Sequence, residues 1–330
     1  MQIACWLAGV VMLAVLGVEV WLRWRYGLGN PPLYVRDAEL EYVMKPNQRC
    51  RRNGYRIEIN GLGMRCADWP EHRESAGERR VLVMGDSVVY GGSKVGQSEL
   101  ATSRLERSLS QALGGRVRVG NVGVASWGPG NLVAFSERQG FLEADAVVVV
   151  MSSHDAVDVP SDNPYVGNLD RPTDRPWCAL HEAWQYWKAR RGRRPGSGAG
   201  FVGAGDVPGA KQGLDPELLA SAMGSLEQLL RSAGEGGRPV ALALHLERSE
   251  FGEGGVMRPG EGYGHLRRVG EAVGVPILDL GPAFAEAEAA GDRPYKDRIH
   301  PSASGQAVMA GVFEEWLLGV LRDGDSGRNG

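Results

Sequence analysis

Ser87 and a distant block containing Asp297 and His300 could together carry out nucleophilic chemistry. Ser87 ends the stretch "RRVLVMGDS", in which a run of Val, Leu and Met stops at a glycine and an acid. A serine hydroxyl becomes a nucleophile beside a general base that is itself oriented by an acid. If the segment turns, Asp297 can orient His300, which would then be the base. We predict that Ser87 is the nucleophile; the alternative is an ordinary strand-to-helix turn, which Asp86 would shape.

Attack on an acyl carbonyl also needs hydrogen-bond donors for the oxyanion that forms. The backbone N–H of Ser87, a backbone N–H from the loop 123–128 and a side chain from "SSHD", Ser152–Asp155, could supply them. His154 could equally be a core histidine, or a metal ligand together with Asp155 and Asp158. We predict no metal and no cofactor.

The elements that must position these residues alternate between short apolar runs and helical stretches. The runs are "RVLVMG", "RVRVGNVGV", "DAVVVVMSS", "PVALALHL" and "VPILDL". Continuous Val-rich strands separated by helices favour a parallel sheet covered on both faces. We predict an α/β fold with a doubly wound, mostly parallel sheet of about five strands, with reactive groups beyond the carboxyl ends of the strands.

The order of these patterns divides the chain into four segments. We predict a membrane anchor over 1–25, an irregular lead-in over 26–78, the α/β domain over 79–322 and a disordered tail over 323–330. The lead-in is rich in turn residues and is expected to hold a hairpin around Tyr55–Asn60.

An insertion over 160–213 interrupts the alternation. It mixes an aromatic cluster, a basic run and a glycine-rich stretch, and we predict a short helix over Ala179–Ala189 followed by a mobile loop. The basic run Arg190–Arg194 is either a solvated patch or a contact for an anionic membrane surface or polysaccharide. The last helix is predicted over Ser302–Leu321, with Ser302 as its N-cap.

The first segment, Ile3–Leu22, is apolar except for Glu19. About 20 apolar residues are enough to cross a bilayer, and Trp6 and Trp21 near the ends suit the two interfaces. Since no clear cleavage site follows, we favour an uncleaved single-pass anchor over a signal peptide or a buried soluble helix. Arg23 and Arg25 after the span would keep the large domain cytoplasmic by the positive-inside tendency.

Charge and cysteine spacing limit the kinds of partner that the sequence indicates. The net charge is −3, which gives no electrostatic case for binding nucleic acid. The four cysteines have no CxxC spacing, so zinc and redox motifs are not indicated. Cys50 and Cys66 could pair in an oxidising compartment, although buried or free thiols are favoured.

Taken together, these blocks resemble the SGNH (GDSL-type) hydrolases of the membrane-anchored bacterial type. Gly85-Asp86-Ser87 is similar to the nucleophile block of the family, and Asp297-Arg298-Ile299-His300 to its D-x-x-H block. The resemblance covers Arg79–Leu321 outside the insertion and implies a flavodoxin-like SGNH fold with Ser87, Asp297 and His300 as a triad.

Two blocks depart from the family pattern. Ser126 stands where the family usually has a glycine that donates its backbone N–H, and His154 stands where it has an asparagine. Serine keeps the N–H, and an imidazole N–H can also donate. The resemblance thus implies an oxyanion hole formed by Ser87, Ser126 and His154.

The resemblance implies a serine esterase that cleaves an acyl ester, expected to be acetyl, with a small molecule or a carbohydrate as substrate. A lead-in such as "EINGLGMR" before the nucleophile block is similar to membrane-anchored proteins that handle acyl groups on cell-surface polysaccharides. That favours an extracytoplasmic domain, against the charge pattern around the anchor. The alternatives are a polysaccharide O-acetyltransferase with the same triad and a non-catalytic membrane-anchored binding protein.

Overall fold

A parallel sheet of five strands forms the centre of the fold. The computed structural model describes residues 1–161, 166–192, 214–252 and 255–328. The strands are β5 (Arg79–Gly85), β6 (Val117–Gly123), β7 (Ala146–Ser152), β8 (Val240–His245) and β9 (Ile277–Asp279). They lie in the order β6-β5-β7-β8-β9, and every neighbouring pair is parallel. This is the doubly wound order of flavodoxin-like sheets, so the predicted fold class is confirmed.

Alternate residues of the strands face two separate apolar cores. Val81 and Val148 pack on one face against α3 (Ala101–Ala112), α8 (Gly281–Ala289) and α9 (Ala303–Arg328). Leu82 and Val149 pack on the other face against α4 (Pro129–Gln139), α6 (Pro216–Ala233) and α7 (Glu261–Val273). Because both faces are covered, β5 to β8 are buried almost throughout, which explains why apolar residues dominate them.

The lead-in consists of two antiparallel hairpins. The first pairs β1 (Tyr34–Asp37) with β2 (Glu41–Met44), and the second pairs β3 (Gln48–Arg52) with β4 (Tyr55–Ile59). The predicted hairpin is the second one, and the residues Tyr55–Ile59 are its second strand. Its two-residue turn is Asn53-Gly54, both with positive φ, as a type I′ turn requires.

Helix α1 (Gln2–Tyr26) precedes the hairpins and is apolar and long enough to cross a membrane. Its 18-residue apolar window has a mean hydropathy of 2.3 and none of it is buried. A signal sequence near an N-terminus can have the same length and apolar composition. Gly27 ends the helix in the left-handed conformation, and a Cβ there would lie 1.8 Å from the Arg51 carbonyl oxygen, so only glycine fits.

The insertion contains α5 (Ala179–Gly192), which confirms the predicted aromatic helix. The predicted mobile loop and the end of the basic run, Arg193 and Arg194, lie outside the described residues. At the C-terminus α9 continues past Leu321 to Arg328, and Ser302 caps its start by accepting a hydrogen bond from the Gly305 N–H at 3.3 Å. The side chains of residues 323–330, the predicted tail, lie outside the part of the chain that the structure describes. All four cysteines are free, and Cys50 and Cys66 are buried.

Candidate active site

The turn after β5 presents Ser87 at the carboxyl edge of the sheet. Gly85 ends the strand where a Cβ would lie 2.8 Å from the Val150 carbonyl oxygen, so the neighbouring strand leaves no room for a side chain. The Asp86 carboxylate accepts a hydrogen bond from the Val88 N–H at 2.8 Å and caps the short helix α2 (Ser87–Tyr90). Ser87 opens that helix and is 7% exposed. The site therefore lies between β5 and β7, where the strand order reverses.

The structure brings Ser87, Asp297 and His300 together in one chain of hydrogen bonds. His300 Nε2 lies 2.9 Å from Ser87 Oγ. His300 Nδ1 lies 2.8 and 2.9 Å from the two oxygens of the Asp297 carboxylate. The same carboxylate accepts hydrogen bonds from the N–H groups of Ile299 and His300, which form the turn that brings acid and base together. The order of contacts is that of nucleophile, base and orienting acid.

Asp297 remains ionised in this arrangement. Burial pushes the pKa of Asp297 up, but the hydrogen bonds from the imidazole and the two backbone N–H groups outweigh it and hold the pKa well below its usual range. A carboxylate beside Nδ1 keeps the proton of a neutral imidazole on that nitrogen. His300 Nε2 is then free of a proton and can accept one from Ser87.

Ser126 lies in the loop between β6 and α4 with a φ of +58°, a left-handed conformation that glycine adopts without cost. The Tyr42 hydroxyl donates to the Ala125 carbonyl, and the Trp127 indole N–H donates to the Tyr42 carbonyl at 3.0 Å. Arg171 Nη2 donates to Ser126 Oγ at 2.8 Å. The Ser126 N–H makes no hydrogen bond to any residue in the part of the chain that the structure describes. These contacts hold a serine in the conformation expected of glycine.

His154 contacts carboxylates through both ring nitrogens. Nδ1 lies 3.0 Å from Glu247 Oε1, and Nε2 lies 3.2 Å from Asp86 Oδ2. Asp86 Oδ2 is also 3.3 Å from Ser87 Oγ, so His154 is connected to Ser87 through this acid. Both nitrogens need a proton to donate in this way, which makes the ring an imidazolium. An oxyanion would have to share the Nε2 proton with Asp86.

The charges around His154 account for its protonation. Burial lowers the pKa of His154, but the carboxylates of Asp155, Asp86 and Glu247 outweigh it and raise the pKa well above its usual value. Correspondingly, burial raises the pKa of Asp86, but the hydrogen bond and charge of His154 bring it below the usual range. Burial, only partly offset by His154, raises the pKa of Asp155.

A metal ion would have to compete with this network. One potential ligand atom from each of Asp86, His154 and Asp155 lies within 4.8 Å of the others. Asp158, suggested by the sequence, is not in this group. A metal ligand nitrogen must be deprotonated, whereas the three carboxylates favour a doubly protonated ring. The residues present therefore fit an ion-paired network better than a metal centre.

Three contributors had not been identified from the sequence: Glu247, Arg171 and Tyr42. Glu247 follows β8 after His245 and Leu246, so the rule that strand ends carry the site could have found it. Arg171 in the insertion and Tyr42 in the first hairpin have no such positional signal. They reach the site only through the tertiary fold.

Comparison with known proteins gives distant structural similarities. No family model and no curated protein matches the chain. A two-domain esterase active on acetylated mannans is similar at 14% identity and a TM-score of 0.46, over 74% of this chain and 50% of that one. This chain thus spans half the length of that esterase.

Two further solved structures are similar over most of their own length. A lipase/acylhydrolase from Enterococcus faecalis has 16% identity and a TM-score of 0.44, over 73% of this chain and 96% of that one. A lipolytic G-D-S-L family protein from Veillonella parvula has 13% identity and a TM-score of 0.41, over 72% and 97%.

Proposed function

We propose that the protein is a serine esterase of the SGNH type that hydrolyses an acyl ester through an acyl-enzyme on Ser87. The observation that carries the proposal is the hydrogen-bond chain from Ser87 Oγ through His300 to Asp297, at 2.9 and 2.8 Å. A structural serine has no need of a histidine whose other nitrogen contacts an ionised acid. The three groups come from the two ends of the domain, so local sequence does not explain their meeting.

In the first half of the reaction, Ser87 Oγ attacks the ester carbonyl carbon while His300 Nε2 takes the hydroxyl proton. Asp297 stabilises the imidazolium that forms. The tetrahedral intermediate collapses by breaking the bond between the carbonyl carbon and the alcohol oxygen, and His300 returns the proton to the departing alcohol. In the second half, water attacks the acyl-enzyme with His300 again as base, which releases a carboxylic acid and restores Ser87.

The oxyanion of each intermediate would accept hydrogen bonds from the N–H groups of Ser87 and Ser126. Neither N–H has a hydrogen-bond partner among the described residues. His154 would contribute its positive charge and share its Nε2 proton with the oxyanion. The imidazolium also offsets the negative charge of Asp86, which lies beside the nucleophile and would otherwise oppose a second negative charge.

For the substrate we propose an acetyl ester, carried by a small molecule or a carbohydrate. The support is the resemblance of the lead-in segment "EINGLGMR" to that of membrane-anchored proteins acting on surface polysaccharides. An O-acetyltransferase is the second candidate, since the same triad can pass the acyl group to a sugar hydroxyl.

We propose that α1 is a single-pass anchor and that the α/β domain is extracytoplasmic. Support for the anchor is the apolar, unburied surface of α1. A reporter fused after Gly330 tests the side of the membrane: activity of a reporter that works only outside the cytoplasm is expected. Activity of a cytoplasmic reporter instead would contradict a role on surface polysaccharide.

The esterase is tested by release of p-nitrophenol from p-nitrophenyl acetate by the full chain in detergent. We expect Ser87→Ala to abolish turnover, whereas Ser98→Ala, an exposed serine outside the site, should leave it unchanged. Equal rates for the wild type and Ser87→Ala would refute the mechanism and favour a non-catalytic binding protein. Adding a sugar acceptor separates the two enzymes, since transfer yields an acetylated sugar and hydrolysis yields only acetate.

A further inference from the structure

Glu19 is the one acid within the apolar stretch of α1, and it connects that helix to the start of α5. Its carboxylate accepts hydrogen bonds from the backbone N–H groups of Ala179 at 2.9 Å and Leu180 at 2.8 Å. Arg23, one turn further along α1, donates to the same carboxylate at 2.6 Å. A carboxylate in an apolar segment is costly unless such partners are present. The contacts with α5 therefore explain how a carboxylate is accommodated in this apolar segment.

A second contact fixes α5 one turn further along. Glu182 accepts a hydrogen bond from the Gly29 N–H at 2.5 Å and forms an ion pair with Arg52 in β3. Both side chains of that pair are less than 10% exposed. Breaking a buried pair leaves an uncompensated charge, so α5 has a defined position at the end of α1.

Between the two helices lies an apolar groove, lined by Val15, Leu16, Glu19, Trp177, Leu180 and Trp184. Trp177 is 79% exposed and Trp184 is 51% exposed. Their rings flank His181, with centroid distances of 5.4 and 6.1 Å, so a row of rings runs from Trp177, just before α5, onto one side of that helix. Large exposed aromatic groups in a row mark a contact surface.

The groove lies within the membrane-crossing part of α1. Val15 and Glu19 are seven and three residues before Leu22, the last residue of the apolar stretch, which at about 1.5 Å per residue is roughly 5–10 Å along the helix. Interfacial helices bury their apolar side to roughly 5–10 Å, at the boundary of headgroups and acyl chains. The depth of the groove agrees with that boundary.

Cations lie next to the aromatic row. Lys188 Nζ lies 5.3 Å from the centre of the Trp184 ring, and the Arg191 guanidinium lies 4.2 Å from that of Trp187. Arg190 is also exposed. Tryptophan is enriched at membrane interfaces, and lysine and arginine near them are attracted to anionic headgroups.

We propose that α5 is an interfacial helix and that Trp184 on it, together with Trp177 just before it, lies in the bilayer that α1 spans. Acyl chains fill the groove between the helices, and Lys188, Arg190 and Arg191 contact anionic headgroups. The proposal rests on the membrane span of α1 and is independent of the esterase chemistry. Its consequence is a domain held against the lipid surface at two places.

The test uses the full chain in vesicles of phosphatidylcholine and phosphatidylglycerol. The accessible thiols are removed by Cys5→Ser and Cys178→Ser, and a nitroxide is placed at Trp184→Cys. Val11→Cys in α1 is the reference for lipid. Val256→Cys between β8 and α7 is the control, because Val256 is 56% exposed, close to the value for Trp184. Collision with oxygen, which enters lipid, is compared with collision with a water-soluble nickel complex.

We expect the ratio of oxygen to nickel accessibility at Trp184→Cys to approach that at Val11→Cys and to exceed that at Val256→Cys severalfold. A ratio equal to that at Val256→Cys would overturn the interfacial helix while leaving the span in place. Low accessibility to both reagents would mean that protein covers the groove, which also overturns the proposal. A water-like ratio at Val11→Cys would overturn the span and the interfacial helix together.

Discussion

Arg171 Nη2 lies 2.8 Å from Ser126 Oγ, which connects the insertion to the loop that carries a proposed oxyanion donor. Arg171 is 7% exposed, and its guanidinium lies 5.1 Å from the centre of the Tyr42 ring. Tyr42 in turn holds the neighbouring carbonyl of Ala125. The lead-in and the insertion are therefore parts of the site, because each fixes the loop from a different side.

The first prediction concerns this loop. Arg171→Ala removes the anchor of Ser126 Oγ, so we expect kcat/KM to fall by about ten- to a hundredfold, less than for loss of a donor. In Ser126→Gly, the glycine takes up a positive φ without needing a side-chain contact. Arg171→Ala should therefore lower kcat/KM much less in that background. Steady-state kinetics of the four proteins measure this coupling. The same factor in both backgrounds would show that Arg171 does not act through Ser126.

The second prediction separates the base from the acid. His300→Ala should lower the acylation rate constant by about 10⁴-fold or more, because no proton acceptor remains beside Ser87. Asp297→Asn should lower it by about 10³- to 10⁴-fold, because an amide favours the wrong tautomer of His300. The measurement is single-turnover acylation with p-nitrophenyl acetate.

His72 is a suitable control for the base, since its side chain is 82% exposed. His72→Ala should leave acylation unchanged. Near wild-type acylation by His300→Ala would exclude His300 as the base.

The third prediction concerns the charge of His154. His154→Leu leaves the Asp86 and Glu247 carboxylates without their shared cation, so we expect it to cost about 3–5 kcal/mol of unfolding free energy, as for a broken buried ion pair. Denaturant unfolding in detergent measures the change. His72→Leu should cost nothing measurable. If His154→Leu unfolds like the wild type, the histidine is not held as an imidazolium.

The fourth prediction concerns acid stability. His245 is fully buried, and burial lowers its pKa to about 4. In the unfolded chain a histidine titrates near about 6.5, so between these values the unfolded state binds the additional proton. Stability should therefore fall as the pH is lowered through this range, by up to about 3 kcal/mol.

Unfolding free energies at pH 6.5 and 4.5 test this titration. His245→Asn should reduce the loss between the two pH values, since it removes the titrating group. The same loss in wild type and variant would assign the acid sensitivity to other groups.

Much of the fold was predictable because buried parallel strands have a distinctive sequence. The strand β7, "AVVVVMS", has no polar interruption and indicates cover on both faces. Strand ends then located Ser87 and His154. The function of His154 was harder to predict, since its partner Glu247 belongs to another strand end and only the folded chain shows that both ring nitrogens are occupied.

Contacts between distant loops were not predictable. The stacking of Arg171 on Tyr42 joins an irregular insertion to a hairpin, and neither segment has a periodic pattern that would indicate the contact. The first hairpin was missed for the same reason, because its strands have only four residues each. Short elements bury too little to impose a recognisable alternation.

The hydrogen bonds between the end of α1 and the second hairpin limit how far Ser87 can move relative to α1. The Gly27 carbonyl accepts a hydrogen bond from Arg52 at 3.1 Å, and the Tyr26 carbonyl accepts one from the Asn53 N–H at 2.9 Å. The segment between α1 and the hairpins is thus not a flexible tether. On a flexible tether, Ser87 would sample a wide range of distances from the lipid surface. A stiff connection restricts it to a narrow range. With α1 as the proposed anchor, the proposed esterase would then select its substrates by their height above the bilayer as well as by their chemistry.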